Sequence, residues 1–163
     1  MYGFKRLLVP SDFSDCSTKA LGSAITLALR LEADLFLMFV ESGAPGSKTW
    51  MSNEATKAEI DALEGDERKL FEQYMKVSKE VEGELGLPPI PRSRLHLRVA
   101  GGDTAAEILK ASDDAQIDLI VMGTHGRNSV KDYLIGSTTE RVVERANCSV
   151  LAVKPDGYPF LRD

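Results

Sequence analysis

The stretch from Gly123 to Glu140, GTHGRNSVKDYLIGSTTE, links a short apolar run at 118–122 to a helical pattern at 139–145. The order predicts a strand, a glycine-bearing loop and a helix. The first N–H groups of a helix have no intrahelical partner and carry partial positive charge. A helix that begins after glycines is therefore typical of an anion site, most often for phosphate.

The spacing of the glycines excludes two well-known phosphate loops. A P-loop requires a lysine after its last glycine, but Gly136 is followed by Ser137 and Thr138, and the dinucleotide pattern G-x-G-x-x-G is absent. What remains is G-x2-G-x9-G-S. Two structural alternatives stay open: the glycines permit a tight turn, and Ser137 with Glu140 forms the capping-box pattern S-x-x-E.

Composition limits the class of protein. The chain has 163 residues, 43% hydrophobic and 28% charged, which is ordinary for one globular domain. Its net charge of −5 argues against a primary nucleic-acid role, and no apolar run approaches the roughly 20 residues of a membrane span. Cys16 and Cys148 make no disulfide framework. We therefore expect a reduced, cytoplasmic protein without nucleic-acid or membrane partners.

Apolar runs and helical patterns alternate along the chain. Strands are predicted at 5–10, 35–40, 94–99, 118–122 and 148–153. Between them lie helices, one capped by Ser14, a long one over 60–85 with a possible break at Gly65, and one begun by a Thr104–Glu107 capping box. His96, between two leucines, is expected to face solvent. The prediction is one α/β domain over 1–155 with a loop at 41–53 and a tail at 156–163.

Two loops of the predicted sheet would lie side by side if the strands that precede them are neighbours. The turn Pro10-Ser11-Asp12 leaves the carboxyl end of the first strand, and the Gly123 loop leaves that of the fourth. Ligands of open α/β sheets bind at such ends, where the strand order reverses.

Three segments of the chain carry a resemblance to a known family. Val9 to Ser14 (VPSDFS), Met122 to Arg127 (MGTHGR) with Gly136-Ser137, and Val150 to Pro155 (VLAVKP) resemble the opening, the nucleotide loop and the closing strand of universal stress proteins. The resemblance spans about 5–155. It implies a Rossmann-like, adenine-nucleotide alpha hydrolase-like fold: an open five-stranded parallel sheet in the order 3-2-1-4-5 with helices on both faces. It also implies a homodimer paired through the last strand, Cys148 to Val153.

The same resemblance implies a site for an adenine nucleotide, ATP with Mg²⁺. Asp12 matches a carboxylate on the ribose or adenine side, and Pro10 and Val40 match positions that flank the base. The first phosphate and ribose loop is matched by Met122, Gly123, His125, Gly126 and Arg127. The segment that holds the β and γ phosphates is matched by Gly136, Ser137 and Thr138.

The expected function is an ATP-binding stress-response regulator that hydrolyses ATP slowly or not at all. Metal-ligand spacings and a hydrolase nucleophile elbow are absent, and no evident base or lysine for the γ phosphate is found. We therefore predict no catalytic residues and no protein-built metal site. Two alternatives remain: an ATP-hydrolysing or adenylating enzyme of the same fold, and a nucleotide-free dimer that acts through protein contacts, with partners unknown.

Overall fold

The computed structural model describes residues 2–51, 54–126 and 135–157. The strands are β1 (Arg6–Ser11), β2 (Asp34–Ser42), β3 (Leu95–Gly102), β4 (Leu119–Gly123) and β5 (Ser149–Val153). The helices are α1 (Asp15–Leu31), α2 (Lys57–Asp61), α3 (Gly65–Leu85), α4 (Thr104–Asp114) and α5 (Ser137–Arg145), with a 3₁₀ turn at Arg92–Arg94.

All pairings of the named strands are parallel, and their order is β3-β2-β1-β4-β5. This confirms the predicted open sheet. Alternate residues of β1 point to opposite faces: Leu7 and Val9 pack with α1 and α3, whereas Leu8 packs with α4 and α5. The sheet is therefore covered on both faces, which explains why its central strands read as continuous apolar runs.

The predicted break in the long helical pattern is confirmed. The short helix α2 ends at Asp61, and α3 begins at Gly65. No residue of α2 is buried, whereas α3 buries Leu70, Tyr74 and Val77 against the sheet. The amphipathic stripe thus belongs to α3.

The predicted capping box of α4 is wrong by one residue. Asp103 is the N-cap, and its carboxylate accepts a hydrogen bond of 2.9 Å from the Ala106 N–H. Thr104 is the first helical residue, and Glu107 accepts instead from the Ser47 hydroxyl at 3.2 Å. Aspartate competes as well as threonine for the N-cap position, so the pattern alone did not decide between them.

Part of the loop predicted at 41–53 runs antiparallel along the outer edge of β3. Ser47 forms a bridge with Ala100, and the Met51 N–H donates to the Leu97 carbonyl at 2.7 Å. Trp50 then packs edge-on against Phe36, with ring centroids 5.1 Å apart. This segment covers an edge strand that would otherwise expose its backbone groups.

The expectation that His96 faces solvent is wrong. Its side chain is only 15% exposed, and its ring stacks on Phe36 at a centroid distance of 4.2 Å. The side of β3 that carries His96 faces α4 and the covering segment rather than water. The sequence of an edge strand predicts one solvent-exposed face unless the segment that covers that face is known.

Candidate functional site

The candidate site lies where the strand order reverses. β1 pairs with β2 on one side and with β4 on the other. Helix α1, which follows β1, packs on one face of the sheet, and α5, which follows β4, packs on the other. The loop after β1 and the described start of the loop after β4 therefore leave the same edge of the sheet, the place where ligands of open α/β sheets bind.

Asp12 is held by its own turn. Its Oδ1 accepts a hydrogen bond of 3.0 Å from the Ser14 N–H. Phe13 lies in the left-handed region at φ 63°, an unusual conformation for a residue with a large side chain. Ser14 caps α1 as predicted, with its hydroxyl accepting from the Ser17 N–H at 3.2 Å. The turn thus fixes the Asp12 carboxylate at the start of α1.

A hydrogen-bonded network ties this turn to α3, and sequence reasoning missed it. The Ser11 hydroxyl donates to Gln73 Oε1 at 2.8 Å and accepts from the Phe13 N–H at 3.1 Å. The Gln73 amide in turn donates to Thr18 Oγ1 at 3.0 Å. The sequence signal that could have revealed this network is a serine at the end of a buried strand, because a buried hydroxyl needs a hydrogen-bond partner.

Gly126 lies against Asp12. A Cβ placed on Gly126 would be 2.6 Å from Asp12 Oδ2, closer than real Cβ contacts come. A side chain at Gly126 would therefore displace the Asp12 carboxylate from its present position. This contact joins two residues that lie more than 100 positions apart in the sequence.

Gly123 has a different role in the structure. A Cβ there would be 2.7 Å from Cys16 Sγ and 3.1 Å from the Cys16 carbonyl carbon. The end of β4 thus packs directly on the first turn of α1, where the Cys16 thiol also donates to the Val153 carbonyl at 3.3 Å. Gly123 is required by packing, whether or not a ligand touches it.

Helix α5 begins without a side-chain cap among the described residues. Gly136 is the N-cap, so Ser137 is the first helical residue and its capping-box interpretation is wrong. The Thr139 hydroxyl donates to the Gly123 carbonyl at 2.8 Å, and the Gly136 N–H donates to the Thr124 carbonyl at 2.7 Å. These bonds fix the amino end of α5 beside the end of β4.

The other candidate residues differ in their exposure to solvent. Ser137 is exposed, and Pro10, His125 and Thr138 are half-buried. The His125 ring is 2.7 Å from the Thr124 hydroxyl. Val40 and Met122, in contrast, are buried in the apolar layer under α4 and α5. Arg127 lies outside the described residues.

The described residues hold no group of three or more His, Cys, Asp or Glu side chains that could bind a metal ion. In the same part of the chain, no helix is long and apolar enough to cross a membrane.

Asp12, Gly126 and the start of α5 thus lie at the ends of β1 and β4. The sequence model of the universal stress protein family matches residues 3–154. The chain belongs to the universal stress protein family. A universal stress protein of Methanocaldococcus jannaschii is 31% identical over 156 residues, which cover 93% of this chain and 82% of that protein.

Solved structures share the fold. Universal stress protein UspA from Lactobacillus plantarum superimposes with a TM-score of 0.68 at 24% identity, covering 94% of this chain and 99% of that one. Two further neighbours contain nucleotides. One is a universal stress protein in complex with cAMP, with a TM-score of 0.62, 17% identity and coverage of 93% and 98%. The other is an Arabidopsis thaliana family protein with AMP bound, with a TM-score of 0.57, 14% identity and coverage of 98% and 97%.

Proposed function

We propose that this universal stress protein binds ATP with Mg²⁺ in the crevice between the carboxyl ends of β1 and β4. In this proposal it acts as a nucleotide-responsive regulator of the stress response, a homodimer whose partner contacts depend on its ligand. Turnover of ATP is slow or absent.

The observation that carries the proposal is the contact between Asp12 and Gly126. The carboxylate is oriented by the Ser14 N–H through Oδ1, and Gly126 places bare backbone beside Oδ2. A fixed carboxylate is a suitable acceptor for ribose hydroxyls, and a backbone without a Cβ permits close approach by a ligand. The two loops supply these features side by side.

The start of α5 supports the phosphate end of the site. Helix geometry leaves the N–H groups of its first turn without intrahelical acceptors, and no described side chain caps them. The exposed Ser137 adds a hydroxyl donor at the same place. In our proposal the backbone N–H groups of Ser137 and Thr138 and the Ser137 hydroxyl donate to the distal phosphates, which also interact favourably with the helix dipole. Gly136, whose N–H donates to the Thr124 carbonyl, leaves room for the phosphates beside this helix start.

Mg²⁺ fits this site only as part of the nucleotide complex. The described residues offer no cluster of three ligands, so these residues by themselves build no magnesium cage. Mg²⁺ usually keeps several waters and binds phosphate oxygens with one or two protein ligands. We therefore expect the ion to be carried mainly by the phosphates, where it would neutralise part of their charge.

The exposed side of β5 supports the homodimer. β5 pairs with β4 along one edge, and no described strand pairs with its other edge. Leu151 on this strand is 39% exposed, and Val143 on the neighbouring α5 is 51% exposed. An unpaired strand edge with exposed apolar side chains is a template for pairing with a second copy of the chain. Such pairing would satisfy the backbone groups of the edge and cover the apolar side chains.

The proposal is tested by titrating nucleotide-free protein with ATP, AMP and cAMP, each with and without Mg²⁺, and by following phosphate release from ATP. We expect ATP with Mg²⁺ to bind more tightly than AMP or cAMP, because only ATP reaches the start of α5. Preference for AMP or cAMP would refute the triphosphate assignment. Multiple turnovers per minute would favour the enzyme alternative.

A further inference from the structure

A solvent-open cavity of about 810 Å³ lies on the α4 side of the sheet, away from the proposed nucleotide crevice. It is bounded by β3, by the covering segment 46–50 and by α4, and none of the ten described residues assigned to the nucleotide crevice lines it. Its floor contains Phe36 and His96, two aromatic rings that stack on each other. A volume of this size is in the range of small-molecule sites.

Arginines of this cavity lie on its aromatic rings. The Arg6 guanidinium carbon is 4.8 Å from the Phe36 ring centroid, and that of Arg98 is 5.6 Å from the Trp50 ring centroid. The Nε of Arg6 donates to the Ala115 carbonyl at 2.6 Å, which fixes its position. Both guanidinium groups are thus held in place at the cavity wall.

Two buried nitrogens of this wall have no hydrogen-bond partner within residues 2–51, 54–126 and 135–157. They are Arg98 Nε and His96 Nε2, two positions apart on β3. His96 Nε2 is 3.5 Å from the nearest Asp34 carboxylate oxygen, an ion pair when the ring is protonated. Buried donors are nearly always satisfied in folded proteins, so Arg98 Nε points to a missing acceptor in this cavity.

The charges of the lining favour an anion. Four basic residues (Arg6, Lys48, Arg98 and Lys110) face two acidic ones (Glu107 and Asp114) in a chain whose net charge is −5. Lys48 is already paired with Glu67 at 3.2 Å, and Glu107 accepts from Ser47 at 3.2 Å. Arg6, Arg98 and Lys110 therefore remain the basic groups with capacity for a ligand.

We propose that this cavity binds a small organic acid, with its carboxylate on Arg98 near His96 and its flat apolar body against Trp50. The planar guanidinium presents paired N–H donors that match a carboxylate, and aromatic walls favour a flat body. Phosphate shares the oxyanion chemistry and is the alternative source that the experiment separates. The site is independent of the nucleotide crevice.

Two spectroscopic reporters suit the test. Trp50 is the single tryptophan of the chain, and of the two histidines one lies in each site, His96 here and His125 in the crevice. Burial lowers the pKa of His96, and Arg6 and Arg92 lower it further, while Asp34 opposes them. A bound anion near His96 should raise that pKa.

The experiment titrates the full-length, nucleotide-free protein with benzoate and, separately, with inorganic phosphate. Histidine NMR signals are followed for both ligands, and Trp50 fluorescence for phosphate. We expect saturable binding of benzoate that shifts His96 and leaves His125 unchanged. Phosphate binding without benzoate binding would refute the organic acid. Binding of neither, or a shift confined to His125, would overturn the site.

Single substitutions test whether benzoate binds in this cavity. Arg98→Gln should weaken benzoate binding about tenfold or more, since a charge-assisted contact is lost. The exposed Arg30→Gln, with the same charge change, should leave it unaltered. Lys110→Gln, an exposed change on α4, should weaken binding severalfold even if Arg98→Gln fails to fold. Equal affinities in all variants, or competition by ATP, would contradict the proposal.

Discussion

Asp12 and Gly126 lie so close that a single carbon atom added to Gly126 would sit 2.6 Å from the Asp12 carboxylate. The contact bridges the ends of β1 and β4, the two strands at which the sheet order reverses. Gly123, three residues earlier, faces Cys16 instead. The two glycines of this motif therefore have different structural roles, and substitutions at each position can distinguish these roles.

Gly123→Ala should destabilise the fold. The new Cβ would meet Cys16 Sγ at 2.7 Å and Cys16 backbone at 3.1 Å, and backbone cannot move as a flexible side chain can. Overpacking of this kind costs about 1–3 kcal/mol. Urea unfolding measures the loss. Cys16→Ala should recover part of it, and a Gly123→Ala variant as stable as wild type would contradict the packing role.

Ser137→Ala should weaken ATP binding about tenfold or more with little change in stability, because its hydroxyl is exposed and caps nothing. Ser14→Ala is the matched control. It removes the actual cap of α1 and should cost about 1 kcal/mol of unfolding free energy. Calorimetric titration and urea unfolding report the two quantities. Lost stability with unchanged affinity in Ser137→Ala would instead favour a structural serine.

Leu151→Lys should convert the proposed dimer to a monomer, because it places a charge in the middle of the paired β5 strands. Met75→Lys on α3 is a matched control, since Met75 is also 39% exposed. Sedimentation velocity distinguishes the two states. If Leu151→Lys remains a dimer, or if wild type is a monomer at micromolar concentration, pairing through β5 is wrong.

The pH dependence of stability should contain a contribution from His96. Because burial lowers its pKa in the folded protein, the unfolded chain binds the proton more readily. The stabilisation is complete above the unfolded pKa of about 6.5 and is lost as the pH falls below it. His96→Phe keeps a ring on Phe36 but cannot titrate, so its unfolding free energy should decline less between about pH 7 and 5. Parallel curves would contradict this assignment.

The architecture was predictable because local signals agreed. The apolar runs of the central strands and the cap at Ser14 each gave the correct element. Strand order came from the family resemblance, since adjacency of β1 and β4 depends on contacts distant in sequence. The Asp12–Gly126 contact follows once that adjacency is known.

Other features were not predictable, for physical reasons. The burial of His96 depends on a covering segment that carries no strand periodicity of its own. The N-cap of α4 was a choice between adjacent Asp103 and Thr104, which have similar capping preferences. Gln73 looked like one more polar residue of an amphipathic helix, and only the packing of α3 beside Ser11 gives it a role.

The most direct test of the nucleotide site is calorimetric titration of nucleotide-free protein with ATP and Mg²⁺, comparing wild type with Gly126→Ala. Gly83→Ala is the control, because Gly83 lies exposed on α3 with no atom within 4 Å of an added Cβ. We predict saturable binding near one ATP per chain for wild type and Gly83→Ala, and loss of binding in a folded Gly126→Ala. Equal affinity in all three proteins, or no binding by wild type, would contradict the proposed site.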